Sequence, residues 1–174
     1  FTASGGYNTT WDTGDLYVAK YSRSGRMLWS TFVECPGDDE NRGFGAHQPF
    51  VACDPQGNIY VAATITIDWH ANMEHNKFAV LKITPDGRLG WMTSFGGEKG
   101  RGRIWGFALD PSGRVFVTGE TYDNEFPVTS GLYGYPDGRP DTPHYSSLNG
   151  FVAAISPSGA IEWSTYLGGC WADY

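Results

Sequence analysis

Residues 107–121 read FALDPSGRVFVTGET, and residues 51–65 read VACDPQGNIYVAATI, so the chain repeats one pattern 56 residues apart. In each copy a short apolar segment precedes an Asp-Pro-x-Gly tetrapeptide, and a segment rich in β-branched and aromatic residues follows it. Pro presets the backbone of a type I turn, and Gly takes the left-handed position that follows. Two strands joined in this way form a β-hairpin, so each copy is predicted to be one.

The same turn chemistry occurs five times: SRSG at 22–25, DPQG at 54–57, TPDG at 84–87, DPSG at 110–113 and SPSG at 156–159. Each tetrapeptide begins with Ser, Thr or Asp, whose side chain accepts a hydrogen bond from the turn backbone. Each ends in Gly, and four of the five have Pro in second place. We expect a left-handed backbone at Gly57, Gly87, Gly113 and Gly159.

The hairpins are of two kinds, which alternate along the chain. In one kind a Trp stands four residues after the turn Gly, at Trp29, Trp91 and Trp163. Because the position of this Trp follows the turn, we expect it to be structural. If the strands are named a to d, their order is b-c-d, then a-b-c-d twice. No window shows a helical period, and the fold class is predicted to be all-β.

A repeating four-stranded antiparallel unit is the blade of a β-propeller. The chain is therefore predicted to hold about three blades: a partial blade at 1–35 that lacks its inner strand, and full blades at 36–97 and 98–169. Residues 170–174 would begin a further blade. Closed propellers have about four to eight blades, so we expect a longer polypeptide or other subunits of an assembly to complete the ring.

Composition excludes several classes of function. The net charge is −7 and the basic residues are scattered, which argues against nucleic acid as a partner. There is no apolar run long enough to predict a membrane span. The three cysteines, Cys35, Cys53 and Cys170, have no Cys-x-x-Cys spacing, which excludes a zinc ribbon and c-type haem attachment. Their redox state is open between one disulfide and free thiols.

Residues 107–133, FALDPSGRVFVTGETYDNEFPVTSGLY, and residues 149–169, NGFVAAISPSGAIEWSTYLGG, resemble the bacterial SBBP-type β-propeller repeat. The middle blade departs from that repeat, because Ala63 replaces the Gly after strand b and IDWHANMEHN replaces the Phe-Pro loop. The resemblance implies a large secreted, periplasmic or cell-surface protein, hence an extracytoplasmic location. It brings no common activity, catalytic residue set or cofactor.

Propeller topology would place all the tight turns on one face and all the long connections on the other. The long connections are predicted at 5–15, 33–49, 66–76, 96–105 and 122–149. Variable loops on a rigid scaffold are the usual carriers of function. The long-loop face is therefore where we expect a partner to bind.

Two of these connections carry aromatic side chains that can anchor a protein partner or stack on a glycan. The candidate contact residues are Trp69 and His70 on 66–76, and Tyr122, Phe126, Tyr133, Tyr135 and Tyr145 on 122–149. The alternative is that the aromatic residues of 122–149 pack the loop's own small core, as Phe126-Pro127 is expected to do.

Two polar segments are candidate metal sites. Asp68, His70, Glu74 and His75 lie close together in sequence but match no zincin spacing, and His47 and His144 lie on other connections of the same face. The acidic run 34–40 lacks the alternation of a calcium loop. Solvated polar loops are the prediction for both segments, with no metal and no cofactor.

The sequence contains no Ser/His/Asp arrangement, no Gly-rich phosphate loop and no paired carboxylates on adjoining strands. We therefore predict a non-enzymatic structural or interaction module of a larger extracytoplasmic protein, with a protein partner. Two alternatives stay open. One is a carbohydrate-binding or carbohydrate-active propeller, and the other is a module that binds a small ligand or a metal.

Overall fold

The computed structural model describes residues 16–33, 47–70, 73–96, 101–123, 126–129 and 148–167. These residues form ten β-strands and no helix, which confirms the all-β prediction for this part of the chain. The strands are β1 (Leu16–Tyr21), β2 (Met27–Val33), β3 (His47–Cys53), β4 (Ile59–His70), β5 (Met73–Ile83), β6 (Leu89–Phe95), β7 (Gly102–Leu109), β8 (Val115–Thr121), β9 (Asn149–Ile155) and β10 (Ile161–Leu167).

The described strands form three antiparallel sheets, in which each strand pairs with its neighbours in sequence. Sheet 1 is β1-β2, sheet 2 is β3-β4-β5-β6, and sheet 3 is β7-β8-β9-β10. The two four-stranded sheets have the a-b-c-d order that the alternating hairpins predict.

All five predicted turns are present, and their hydrogen bonds are those of the predicted type. In each turn the Gly N–H donates to the carbonyl of the first residue, at 2.9 to 3.0 Å. The first side chain accepts from the backbone N–H of the residue after the Gly; for example, Arg114 N–H donates to Asp110 Oδ1 at 3.0 Å. The glycines are left-handed, with φ from 82° at Gly25 to 90° at Gly159, so the prediction for the turns is confirmed.

The sheets stack face to face, with sheet 2 in the middle. Because side chains alternate along a strand, Ile59 and Val61 of β4 face sheet 1, and Tyr60 and Ala62 face sheet 3. The core between sheets 1 and 2 contains Leu16, Trp29, Val33, Ile59, Val61, Leu81 and Ile83. The core between sheets 2 and 3 contains Tyr60, Ala62, Phe78, Val80, Phe95, Val115, Val117, Phe151, Ala153, Ile155 and Tyr166. Burial on both faces explains why β4 and β5 read as nearly continuous apolar runs.

One contact occurs at both of these interfaces. The indole N–H of Trp29 donates to the carbonyl of Pro85 at 3.0 Å, and that of Trp91 donates to the carbonyl of Pro157 at 3.0 Å. The Gly of the same turn lies on the indole ring: a Cβ at Gly87 would be 2.8 Å from Trp29 Cδ2, and one at Gly159 would be 2.8 Å from Trp91 Cδ2. Each Trp thus joins its own sheet to the turn of the next one, which confirms a structural role for both.

The structure corrects the predicted long connections. Residues 66–76 are largely the paired ends of β4 and β5, in which Asp68 lies opposite His75, and His70 lies opposite Met73. The ladder continues past a bulge between Thr66 and Asp68 because pairing satisfies backbone groups that a loop would leave to solvent. The predicted connection 96–105 is likewise shorter, since β7 begins at Gly102.

The contact of Gly87 with Trp29 leads to a stability prediction with a matched control. Gly87 and Gly57 have φ of +87° and +84°, so alanine at either position carries a similar left-handed strain of about 1 kcal/mol. A Cβ at Gly57 would meet nothing closer than 3.7 Å, whereas one at Gly87 would collide with the indole. We expect Gly87→Ala to lower the free energy of unfolding by about 1–3 kcal/mol more than Gly57→Ala, measured by urea denaturation. Equal losses would contradict the contact.

Candidate functional site

The molecule has two contrasting edges. The turn edge consists of the five turns at 22–25, 54–57, 84–87, 110–113 and 156–159. The two turns of sheet 2 lie against each other, as do the two turns of sheet 3. A Cβ on Gly57 would lie 3.7 Å from Pro85, and one on Gly113 would lie 3.7 Å from Pro157. The loop edge is formed by the opposite ends of the strands, where Tyr122 and the paired ends of β4 and β5 lie.

The turn edge carries aspartates that are tied into their own turns. The hydroxyl of Ser112 donates to Asp110 Oδ1 at 2.6 Å, and with the N–H of Arg114 it lowers the pKa of Asp110. The hydroxyl of Thr84 likewise lowers the pKa of Asp86. Burial acts to raise the pKa of Asp54, but hydrogen bonds from Asn58 outweigh it, and that pKa is lowered too. These carboxylates are therefore ionised at neutral pH and structural.

The loop edge of sheets 2 and 3 is held together by buried polar side chains. Thr66 Oγ1 donates to Asn76 Oδ1 at 3.0 Å, and Asn76 Nδ2 donates to the carbonyl of Gly102 at 3.3 Å. The N–H of Ile104 donates to Thr64 Oγ1 at 3.0 Å. Because Gly102 lies opposite Thr121, the base of the β4–β5 hairpin is fixed beside the end of β8.

The candidate contact residues have different positions. Tyr122 follows β8 at the loop edge, is 42% exposed, and donates its backbone N–H to the carbonyl of Arg101 at 2.8 Å. Trp69 and His70 are the last residues of β4, paired with Glu74 and Met73 in the hairpin. Tyr133, Tyr135 and Tyr145 lie outside the described residues.

Phe126 is a core residue. Its side chain is 4% exposed, and its ring centroid lies 4.9 Å from that of Phe151 and 5.4 Å from that of Tyr166. The following segment is bound to β10, because the N–H of Thr129 donates to the carbonyl of Ser164 at 3.0 Å, and the Ser164 N–H donates to Thr129 Oγ1 at 3.0 Å. Phe126 thus packs in the core between sheets 2 and 3 and not in a small core of the loop's own, and we leave it out of the contact surface.

Sequence reasoning missed the polar tether at the loop edge. Asn76 belongs to the segment that was predicted to be a solvated loop, yet its side chain is buried between two sheets. Tyr166 is a second example, since its hydroxyl donates to the carbonyl of Asp123 at 2.6 Å and fixes the chain just after β8. The strand alternation of β10 predicts an inward Tyr166, but no local pattern identifies its acceptor.

The described side chains hold no group of three or more His, Cys, Asp or Glu residues that fits a metal ion. Of the segment weighed as a metal site, His75 is among those side chains, while Asp68, His70 and Glu74 are not. Residues 34–40 and His144 also lie outside the described part of the chain. Cys53 has a free, exposed thiol. The described residues include no helix that could cross a membrane.

No protein-family model and no curated protein matches this sequence. The resemblance to the SBBP-type repeat therefore rests on the motifs themselves. Two of them have a structural reason in sheet 3. A Cβ on Gly119 would lie 2.8 Å from the ring of Phe151, and the Phe-Pro segment fills the core and pairs with β10. The family assignment stays a prediction.

The burial of Phe126 separates two aromatic residues that the sequence grouped together. We expect Phe126→Ala to lower the free energy of unfolding by about 3–5 kcal/mol, since it empties the center of an aromatic cluster. Tyr122→Ala removes an exposed ring and should change the free energy of unfolding by no more than about 0.5 kcal/mol. Urea denaturation measures both. A small loss for Phe126→Ala would mean that this ring is not in the core.

The turn aspartates predict a pH-dependent contribution to stability. The folded-state pKa of Asp110 lies below its unfolded value, so its contribution is present above the unfolded pKa and is lost as the pH falls through the folded pKa. Ser112→Ala should raise the pKa of Asp110, as followed by carboxyl carbon NMR, and should destabilise the protein at neutral pH more than in acid.

Ser158→Ala is the matched control, because its turn begins with Ser156, and the two hydroxyls are paired at 2.9 Å without a carboxylate. Its effect on stability should not change with pH over the same range. A Ser112→Ala variant that leaves the pKa of Asp110 unchanged would contradict the assigned hydrogen bond.

Proposed function

We propose that this chain is a non-enzymatic structural and interaction module, built as a β-propeller within a larger secreted, surface or complex-associated protein, and that it binds a protein partner through its loop edge. The observation that carries the proposal is the contrast between the two edges. Along the turn edge, the four turns of sheets 2 and 3 share one chemistry and contact the neighbouring sheet. The connections at the loop edge differ from sheet to sheet in length and sequence.

The stacking of the sheets supports the propeller. The contact of Trp29 with Pro85 and Gly87 between sheets 1 and 2 recurs as the contact of Trp91 with Pro157 and Gly159 between sheets 2 and 3. Because the same interface recurs, each sheet is related to the next by the same rotation, as in repeat proteins. Four-stranded antiparallel sheets arranged in this way about a central axis are propeller blades.

The rigidity of the loop edge supports a role in recognition. The β4–β5 hairpin, which ends in Trp69 and His70, is fixed at its base by the bond from Asn76 to Gly102. Tyr122 lies exposed after β8, beside that base, and the segment with Tyr133, Tyr135 and Tyr145 follows it. Protein interfaces use a few aromatic anchors within a polar rim, and a fixed scaffold reduces the entropy lost on binding.

The pKa shifts at the turn edge fit a structural role for its aspartates. Hydrogen bonds within or next to their own turns lower the pKa values of Asp54, Asp86 and Asp110. A general acid that works at neutral pH requires an upward shift. These carboxylates are suited to closing turns and not to transferring protons.

The proposal is tested by comparing the two edges. The chain is immobilised, a partner is recovered from an extract of the source cells and purified, and its dissociation constant is measured with variants. We expect Trp69→Ala combined with Tyr122→Ala to weaken binding about tenfold or more, because anchors of this kind dominate interface energy. Arg88→Glu on the turn edge, where the side chain is 78% exposed, should leave the constant unchanged.

The reverse result would place the partner on the turn edge. Arg88 is a cleaner control than Arg114, because its ion pair with Asp86 at 3.1 Å is exposed and lies within a single turn. Arg114 Nε is instead bound to Glu162 Oε2 of another strand at 2.6 Å, where both side chains are less exposed. Both variants must unfold at wild-type denaturant concentrations. Binding to a glycan array that disappears with the loop-edge variant would favour a carbohydrate-binding module instead.

A further inference from the structure

Sheet 2 receives the turns of sheet 3 in what we call the aromatic socket, formed by Tyr60 and Trp91 with Lys82 between them. The two rings lie 6.2 Å apart, and both residues are opposite Lys82 in the strand register. Gly159 lies on the indole, and a Cβ on Gly113 would be 3.0 Å from the Tyr60 hydroxyl. Two turns of the next sheet therefore fill this socket.

Sheet 3 has a second socket of the same construction on its outer face. Phe116 and Trp163 are both opposite Ala154, and their rings lie 6.3 Å apart. They point away from sheet 2, because Val115 and Val117, the strand neighbours of Phe116, are in the core with that sheet. Both rings are only half-buried, and the Trp163 indole N–H has no acceptor among the described residues.

On sheet 1, the turn 22–25 has no socket among the described residues. The turn 22–25 has the same geometry as the others: Gly25 N–H donates to the carbonyl of Ser22 at 3.0 Å, and φ at Gly25 is 82°. Yet a Cβ on Gly25 would meet nothing within 4 Å, whereas the equivalent glycines of sheets 2 and 3 lie on indole rings.

The side chains around this turn are apolar and exposed. Tyr21 is 58% exposed and Leu28 is 45% exposed. The residue of sheet 2 that corresponds to Tyr21 is Ile83, which is fully buried against sheet 1. Near this turn, sheet 1 thus presents outward side chains at positions that sheet 2 uses to dock on its neighbour, whereas Ser30 and Phe32, farther along the same face, are buried.

We propose that the open turn of one copy of this chain docks into the open socket of a second copy. The carbonyl of Arg23, which occupies the place of Pro85 and Pro157, accepts the hydrogen bond of the Trp163 indole N–H, and Gly25 lies flat on the ring. The missing Pro is no obstacle, because the acceptor is a backbone carbonyl. The contact continues an interface that the molecule already contains twice.

The charges favour this occupant over an unrelated turn. A cation lies at each of the two Trp–turn contacts within the molecule. Beside Trp29, Lys20 Nζ donates to the carbonyl of Pro85 at 3.3 Å, and in the aromatic socket Lys82 Nζ lies 5.3 Å from the center of the Tyr60 ring. The open socket has Ala154 in that place, and the open turn has Arg23 where the other two Trp hairpins have Pro. In the proposed contact the cation therefore belongs to the turn and not to the socket, so no two cations face each other.

The association is heterologous, since each copy uses a different surface for each neighbour. It is tested by sedimentation equilibrium of the whole chain over a range of concentrations. We expect wild-type chains to associate, and Trp163→Ala and Gly25→Ala each to weaken association at least tenfold. The first removes the hydrogen-bond donor, and the second places a Cβ where the indole ring would be.

A mixing experiment separates this contact from nonspecific association. The Gly25→Ala chain keeps an intact socket and the Trp163→Ala chain keeps an intact turn, so an equimolar mixture should form a one-to-one dimer that grows no further. Gly57→Ala, with φ of +84°, controls for left-handed strain, and Trp105→Ala removes another exposed Trp, which is not part of the socket. Both controls should associate like wild type.

Three results would overturn the proposal. The first is a wild-type chain that stays monomeric at every concentration. The second is association that survives in both single variants, and the third is a mixture in which no dimer forms. Circular dichroism of each variant confirms that its sheets are intact, and the loop-edge variant Tyr122→Ala should associate like wild type, which distinguishes this contact from the partner site on the loop edge.

Discussion

The structure depends on a hydrogen bond from a Trp indole to the turn of the next sheet. The partners are 56 residues apart for Trp29 and 66 for Trp91, so neither contact is a property of a single hairpin. The same geometry requires Gly, because any Cβ at Gly87 or Gly159 would enter the ring. Trp and turn Gly recur together because they are the two halves of one interface.

Because of this constraint, one edge of the molecule serves stability and the other edge can vary. The turns of sheets 2 and 3 are committed to stacking, because the carbonyls of Pro85 and Pro157 and the glycines beside them contact the neighbouring sheet. The loop edge solves the same problem with different chemistry, namely the bonds of Thr64 and Asn76 to β7 and the ring of Phe126 in the core. Since no shared motif fixes the loop edge, each sheet is free to carry its own connections there.

The same division explains what the sequence predicts. Local turn chemistry and the repeat along the chain predict the turn glycines, the strand order and the structural role of Trp29 and Trp91. The extension of β4 to His70 cannot be predicted in this way, because the polar residues there become part of a strand only through pairing with β5. The burial of Phe126 also escapes local analysis, since its ring partners Phe151 and Tyr166 lie far along the chain. The contact residues of the loop edge stay a prediction for a similar reason, because no periodic pattern in a sequence identifies a binding surface.

The outer face of sheet 3 shows how far the shared interface extends. A repeat that ends a stack in solution needs a polar outer face, because nothing covers it. Sheet 3 instead keeps Phe116 and Trp163 in the arrangement that binds a turn between sheets 2 and 3. Sheet 1 likewise keeps a left-handed Gly25 beside exposed apolar residues. Both faces therefore retain the chemistry of an interface, which is the physical basis of the proposed association between two copies.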